Sequence, residues 1–576
     1  MHRYFRQMPP LDLGRDPAPD QANRQRLAAI EQEIAALAAA PRQAGTPDED
    51  VHRRGQLTVW ERLAALVEPG SLRPLLSLYD PEQNEEGLTG VVCALGRISG
   101  RWCVVAGFDN KSLAGAWLPG QPEKKLRVTD LATRLRLPLV WLVNCSGVKL
   151  SQQHRVYGGR RGGGANFFRH AEMAVAGLPV LAGVFGSNPA GGGYQACSPT
   201  LIIAHDKAEM SAGGGAVLGG MGGAGPFDID QAMELIAEMA RRQADPPGTA
   251  ATHFDVTGFF REIYPSEPEV LAALQQRVAQ LPAFDPAFFR VDDPAPPLAP
   301  ADELYDILPL DNDRPYKIEQ ILARLVDGSS HREYRRDFGP EIYCGLVKLA
   351  GLAVGLVANR QGELPAGYPA YAAGAYQGRG GTIFRDGLLK MAEFTTLCGR
   401  DRLPMIWLQD HDGLDLGDLA ERAEVLGLGQ SLVYSIQQSG LPMLAVVLRK
   451  GTVAPHYQMG GPPANRNNAL TLGLASSEIY VMRPRTAAAA ALGRKLARQH
   501  EKGLPLEPVI AQMNAMIADY HDKARPAYLA QAGLVDEVAR LADLRAYLTA
   551  FAEAAYQNPA SLCPQHQMIL PRLCAL

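Results

Sequence analysis

The chain repeats itself at long range. LRLPLVWLVNCSGVKL (135–150) is answered by RDRLPMIWLQDHDGLDL (400–416), with Pro138 over Pro404 and Gly147 over Gly413, both at an offset of 266. GLPVLAGVFGSNPAGGGYQ (177–195) is answered by GLPMLAVVLRKGTVAPHYQ (440–458), with Pro179 over Pro442 and Tyr194 over Tyr457 at an offset of 263. RISGRWCVVAGFDNK (97–111) resembles VKLAGLAVGLVANRQ (347–361) in the same way. Each half runs through a hairpin-like strand pair, a helix, a strand ending in a glycine turn, a helix, and a strand ending in a Gly- or Pro-rich turn. Unrelated stretches would not hold several elements at a near-constant offset. The expectation is therefore two α/β domains of one fold, duplicated. The proline-rich stretch VDDPAPPLAPADELYDILPLDN (291–312) marks the crossing. This gives a first domain over 1–310, with a helical extension over 1–70, and a second over 311–576. Within the extension, Leu27, Ile30, Ile34 and Leu37 fall on one helical face of 21–39, and QLTVWERLAALVE (56–68) reads as a second helix ended by Pro69-Gly70.

Four turns close the matched strands: NCSGVK (144–149) and SNPAGGGY (187–194) in the first half, QDHDGLD (409–415) and KGTVAPHY (450–457) in the second. Strand ends are where α/β folds bind ligands. Glycine lets a backbone N–H approach a ligand closely. Two loops offering one amide each can hold an oxygen that gains negative charge, and such donors are worth roughly 10²–10³ in rate apiece. A plain tight turn is the alternative for any one loop, and the matched pair weakens it. No GxxxxGK[ST] loop surrounds these glycines, no GxSxG elbow occurs, and no acidic partner follows at dinucleotide-binding distance. The histidines and cysteines lack metal-ligand spacing, so no metal is expected. Lys plus Arg number 57 against 61 Asp plus Glu, a net charge of −4, which argues against a nucleic-acid surface. Eight scattered cysteines without a CxxC pair read as reduced thiols, and no apolar run is long enough to span a bilayer. A cytoplasmic protein is expected, docked peripherally if it works at a membrane.

On these residues the chain resembles the biotin-dependent acyl-CoA carboxyltransferases of the crotonase superfamily. RRGQLTVWERLAALVEPGS (53–71) is similar to their entry helix, and SGVKL (146–150) stands where they carry an oxyanion turn. PAGGGY, VLRKGTVAPHYQMGG (447–461) and AGLVDEV (532–538) match their second glycine turn, their RKxxGGxY turn and their exit segment. MHRYFRQMP (1–9), WCVVAGFDNKSLAGAWLPGQ (102–121), RRGGGANFFRHAE (160–172), RDRLPMIWLQD (400–410) and AAYQNPASLCPQHQMILPR (554–572) are similar to the decarboxylase branch of that family, whose substrate is glutaconyl-CoA.

The resemblance implies a crotonase/ClpP-like ββα spiral in each half and a homodimer or larger assembly. It implies acyl-CoA on the first half of one subunit and biotin on the second half of a neighbour. The carboxyl group of glutaconyl-CoA would pass to biotin, giving crotonyl-CoA and carboxybiotin. Other acyl-CoA carboxylases (propionyl-, methylcrotonyl-, geranyl-CoA) use the same turns, and a non-catalytic acyl-CoA-binding subunit is a further reading. By position, the acyl-side hole takes the amide of Val148 with Gly192 or its neighbours Gly191 and Gly193. The biotin-side hole takes Gly413 or Leu414 with Ala454, because Pro455 has no N–H. His411 and Asp412 stand where small hydroxyl residues are expected. Lys149, Arg160, Arg161 and Arg169 are candidates for the CoA phosphates or the substrate carboxylate, with a solvated basic edge as the alternative. Arg449 and Lys450 end a strand at the second site. With no biotin-attachment sequence and no ATP signature, the implied partners are a biotin carrier subunit and, for the decarboxylase branch, a membrane decarboxylase subunit.

Overall fold

The computed structural model describes residues 11, 13–14, 17–84, 90–213, 225–329, 331–364 and 378–562. The quoted segment 1–9, the tail from 563 with Cys563 and Cys574, and the first part of the expected N-terminal extension lie outside them. The chain divides into two compact units, 37–286 and 1–36 with 287–576.

In unit 37–286 a seven-stranded sheet runs in the order Arg73–Leu75, Val91–Ile98, Arg101–Phe108, Leu139–Val143, Val180–Val184, Leu201–His205, Glu262–Tyr264. The first three strands are antiparallel and the rest parallel. Parallel strands covered on both faces read as continuous apolar runs rather than alternating ones. LVWLV and VLAGV are such runs, buried at every position. The entry helix Val59–Leu66 starts at Thr58, whose hydroxyl accepts from the Glu61 amide while the Glu61 carboxylate accepts from the Thr58 amide. It is pinned to helix Glu267–Ala279 by the buried pair Arg62–Glu267, with bonds of 2.8 and 2.7 Å. Val59, Leu63, Leu66, Val105, Leu142, Leu181, Leu271 and Leu274 share one apolar core.

The second unit repeats this order: His331–Glu333, Ile342–Leu349, Leu352–Asn359, Met405–His411, Met443–Thr452, Asn468–Gly473, Glu537–Val538, with the same change from antiparallel to parallel. The expected duplicated α/β fold is therefore present down to unusual backbone. The hairpins turn through left-handed Ser99-Gly100 and Ala350-Gly351. Helices Gln121–Leu135 and Arg385–Asp401 both end on a left-handed arginine, Arg136 and Arg402, at the first of the two sequence offsets. Gly177 and Gly440, at the second offset, both have positive φ. Such conformations strain a residue with a Cβ, so shared geometry here is strong evidence of one ancestral backbone. The predicted helix over 21–39 spans Gln21–Gln43, and its Asn23 donates to the carbonyls of Tyr305 and Leu308. Cys93, Cys103, Cys145, Cys197, Cys344 and Cys398 are free thiols. No helix among the described residues is long and apolar enough to cross a membrane.

Candidate active site

In unit 37–286 the strand Leu139–Val143 runs into a turn held by Trp117. The Trp117 N–H donates to the Gly147 carbonyl at 2.7 Å, and the Lys149 N–H donates to the Trp117 carbonyl at 3.1 Å. In this parallel bridge the residue between those two bonds turns its own amide to the other side. That residue is Val148, whose N–H has no hydrogen-bond partner among the described residues. The strand Val180–Val184 ends at a second turn that leads through Ala190, at φ 50°, into helix Gly191–Cys197. The first-turn amides of a helix have no carbonyl within it to bond, so Gly191, Gly192 and Gly193 offer a row of donors at the positive end of the helix dipole.

Asn188 ties the two turns together. It is fully buried; its Oδ1 accepts the Cys145 N–H at 2.8 Å, and its Nδ2 donates to the carbonyls of Phe185, Gly186 and Glu209 at 2.9–3.1 Å. The turns abut closely: a Cβ on Gly192 would lie 1.9 Å from the Cys145 carbonyl oxygen. Only glycine fits there. The Val148 amide and the glycine amides thus belong to two touching turns, the arrangement an oxyanion needs.

The second unit rebuilds this with different side chains. Strand Met405–His411 leads to Gly413, at φ 122°, and to a short pairing of Gly413–Leu414 with Thr382–Ile383. The Asp415 N–H donates to the Ile383 carbonyl at 2.9 Å, just as Lys149 donates to Trp117 at the matching positions of the first copy. Leu414 is the counterpart of Val148, and its amide takes the same outward place. Val453, at φ 53°, opens helix Val453–Gln458 and is the counterpart of Ala190. The Ala454 amide, counterpart of Gly191, has no hydrogen-bond partner among the described residues. Pro455 falls on Gly192, so this unit offers one donor fewer.

Two histidines lie behind this second turn. Gln409 Nε2 donates to the carbonyls of His456 and Met459, so its Oε1 accepts from His456 Nδ1 at 2.8 Å. Burial pushes His456 down to about 4 and His411 to about 3, leaving both neutral at pH 7. His411 is fully buried, and neither ring nitrogen has a hydrogen-bond partner among the described residues.

The charged candidates are placed unevenly. Arg161 forms two 2.6 Å bonds to Glu123, and Arg169 pairs with Glu172 at 3.0 Å. Arg160 is exposed with no ion pair among the described residues, and Lys149 is half-buried on the Val148 turn. Arg449 is fully buried, bonded to Asp410 at 2.8 Å and to the carbonyls of Asp311 and Arg314, with its guanidinium over the Tyr316 ring. Lys450 donates to Asp412 at 2.8 Å. Burial works against the Asp412 carboxylate, but Lys450 and Arg483 beside it hold its pKa below the usual range. Asp412 is thus the counter-ion of this corner. Trp117 and Asn188, which sequence reasoning passed over, hold the acyl-side turns. Both lie inside quoted motifs, but Gly147 and Lys149, which bond Trp117, and Cys145 and Glu209, which bond Asn188, lie in other segments of the chain. No group of metal-ligating side chains occurs among the described residues.

The sequence model of the carboxyl transferase domain family matches residues 50–569. The glutaconyl-CoA decarboxylase subunit alpha of Acidaminococcus fermentans is 51% identical over 574 residues, covering 99% of this chain and 97% of that protein. The biotin-dependent 3-methylcrotonyl-coenzyme A carboxylase beta1 subunit of Mycobacterium tuberculosis is 28% identical over 415 residues, 71% of each chain. The crystal structure of the P. aeruginosa geranyl-CoA carboxylase beta subunit superposes with a TM-score of 0.75 at 23% identity, over 97% of this chain and 99% of that one. The twin turns, their shared backbone and these likenesses agree: the chain belongs to the carboxyl transferase domain family.

Proposed function

We propose that the chain transfers the carboxyl group of glutaconyl-CoA to biotin carried on a partner subunit, leaving crotonyl-CoA. The observation that carries this reading is the pair of matched donor turns, one in each unit, set on the same left-handed backbone. Its substrate rests on the 51% likeness to a glutaconyl-CoA decarboxylase subunit alpha.

Glutaconyl-CoA carries its carboxylate at the far end of an enoyl thioester. When that C–C bond breaks, the electron pair spreads through the dienolate to the thioester oxygen. The amides of Val148 and Gly192, flanked by Gly191 and Gly193, stabilise that oxygen without a side-chain base. The dienolate takes up one proton to complete crotonyl-CoA, balancing the one that the biotin nitrogen gives up on gaining the carboxyl group. Biotin supplies the carboxyl acceptor, and its ureido oxygen fits the amides of Leu414 or Gly413 with Ala454. Neutral His411 and His456 behind that turn add no charge to it. Lys149, Arg160, Arg161 and Arg169 serve the CoA phosphates or the substrate carboxylate, and Arg449 with Lys450 hold the biotin-side turn through Asp410 and Asp412. Acyl-CoA occupies unit 37–286 of one copy and biotin the second unit of a neighbouring copy, in a homodimer or larger assembly. The carrier is separate, and a membrane decarboxylase partner docks this cytoplasmic chain.

The test is transfer from glutaconyl-CoA to free biotin by the purified chain, followed as biotin-dependent crotonyl-CoA formation. A preference for carboxylating propionyl-, methylcrotonyl- or geranyl-CoA would overturn the substrate. Thioester binding with no transfer to biotin would reduce the chain to an acyl-CoA-binding subunit.

A further inference from the structure

Behind the acyl-side turn lies a buried amine that the chemistry above does not use. Lys125, on helix Gln121–Leu135, is fully buried, and its Nζ has no hydrogen-bond partner among the described residues. It sits 3.2 Å from the centre of the Trp117 indole. That indole is the hub of the site. Its backbone bonds to Gly147 and Lys149 on either side of Val148, and its ring edge would lie 3.2 Å from a Cβ on Gly191 and 2.7 Å from one on Gly163. Phe167 packs tilted to the ring, 6.0 Å away between centroids.

The duplication supplies an internal control. At the matching positions of the second copy, Trp117 becomes Ile383 and Lys125 becomes Met391, both fully buried on the corresponding turn and helix. The fold therefore closes with an aliphatic pair at these two places. An ammonium on an indole face is a cation–π pair, and burying it without an acceptor is costly. Among the described residues, only the unit assigned to the acyl thioester carries it.

We infer that Lys125 is a positioning residue of the acyl-side site: its ammonium, seated on Trp117 behind the Val148 turn, holds that turn and biases it toward the negative charge of a thioester enolate. This rests on the placement of acyl-CoA in unit 37–286. The titratable groups facing Lys125 are Cys145, on the turn after strand Leu139–Val143, and His170, on helix Ala165–Val175. Burial pushes the Cys145 thiol up to about 12 and His170 down to about 3, so both are neutral near pH 7. Burial also brings Lys125 itself down to about 7. Its charge is present below that pH and lost above it.

The experiment compares the full chain with K125M, which installs the residue found at this place in the other unit, and with K125R. Bound cinnamoyl-CoA is the probe, because its absorption moves to the red as the thioester carbonyl is polarised. Wild type shows a red shift at pH 6 that shrinks by pH 8.5; K125M shows a smaller shift, the same at both; K125R keeps the larger shift at both, since a guanidinium does not deprotonate. In carboxyl transfer, K125M lowers kcat on the order of tenfold with KM little changed, and removes the fall in kcat through pH 7. A K125M protein with the wild-type spectrum and pH profile overturns the inference and leaves the acyl-CoA assignment standing. Failure of wild type to bind cinnamoyl-CoA overturns both.

Discussion

Adding one methyl group at Gly192 tests the acyl-side site most directly. A Cβ there falls 1.9 Å from the Cys145 carbonyl oxygen and 3.0 Å from its carbon, both backbone atoms. A Cβ essentially never comes within 3.0 Å of another heavy atom, and reaching even that distance requires the two turns to separate by about 1.1 Å. They cannot do so freely, because Asn188 bonds Cys145 to the second turn and Trp117 clamps the first. A displacement of that size takes one amide out of hydrogen-bond range of an oxygen still held by the other. The expected loss is therefore one oxyanion donor, roughly 10²–10³ in kcat. The strain is that of an overpacked core, about 1–3 kcal/mol of stability. Gly164 is the control: a Cβ there meets only the edge of Phe167, at 4.0 Å. Purified G192A and G164A are assayed for crotonyl-CoA formation and melted in parallel. G164A keeps its rate, while G192A melts as a folded protein and turns over at least a hundredfold more slowly. A G192A protein with near wild-type kcat would refute the assignment of this turn to the oxyanion.

Three further outcomes follow from the charged and titratable side chains. D410A leaves the Arg449 guanidinium buried without its carboxylate, at a cost of about 3–5 kcal/mol; D410A/R449M recovers most of the lost melting temperature, and a double variant no better than the single refutes the pairing. H411L removes two unpartnered ring nitrogens. Folded His411 resists protonation until about pH 3, whereas the unfolded side chain takes a proton near 6.5. Wild type therefore loses about 2 kcal/mol through this residue between pH 6.5 and pH 5. Glu341, pushed up to about 7 by burial, and Asp109, to about 6, act in the opposite sense, so the reading is the difference in slope: H411L melts with a flatter acid limb, and identical slopes refute it. R160A raises the KM for acyl-CoA several-fold in a salt-sensitive way, whereas R161A, whose guanidinium is already committed to Glu123, changes it less; the reverse order counts against a phosphate role for Arg160.

The duplication was legible because parallel strands buried on both faces leave long apolar runs, and LPLVWLV and LPMIWLQ keep their Pro and Trp in register. The two glycine turns were legible for the same reason, since Gly147 and Gly413 sit at a fixed distance from those runs. The roles of the neighbouring cations were not. Arg449 and Lys450 look like a strand-end pair, but the strand continues to Thr452, which puts both side chains inside the unit against carboxylates. Arg161 and Arg169 find their acids on helix Gln121–Leu135 and on their own helix, pairings that sequence spacing does not announce. Asn188 is invisible for a related reason: its importance lies in four backbone partners spread over three segments.

On the proposed function, the duplicated backbone lets one scaffold serve two different oxygens. From Arg136 to Gly147 the strained positions recur at the larger offset, and from Gly177 onward at the one shorter by three. The extra length of the first copy lies between, in the stretch that contains RRGGG, whose Gly163 packs against the Trp117 ring. Because the donors are amides, side chains beside them were free to diverge without moving the hole. They have: Cys145, Gly192, Trp117 and Lys125 of one unit are His411, Pro455, Ile383 and Met391 of the other. The first set gives the tightest approach of two turns and a buried amine behind them. The second gives up one donor to a proline and surrounds the turn with neutral imidazoles. In the proposed reaction the thioester oxygen takes on nearly a full charge through the dienolate when the distant carboxyl group leaves, whereas a ureido oxygen is already polarised before reaction. On the proposed function, the side with more donors and a buried amine that has no carboxylate beside it is the side where more charge must be created.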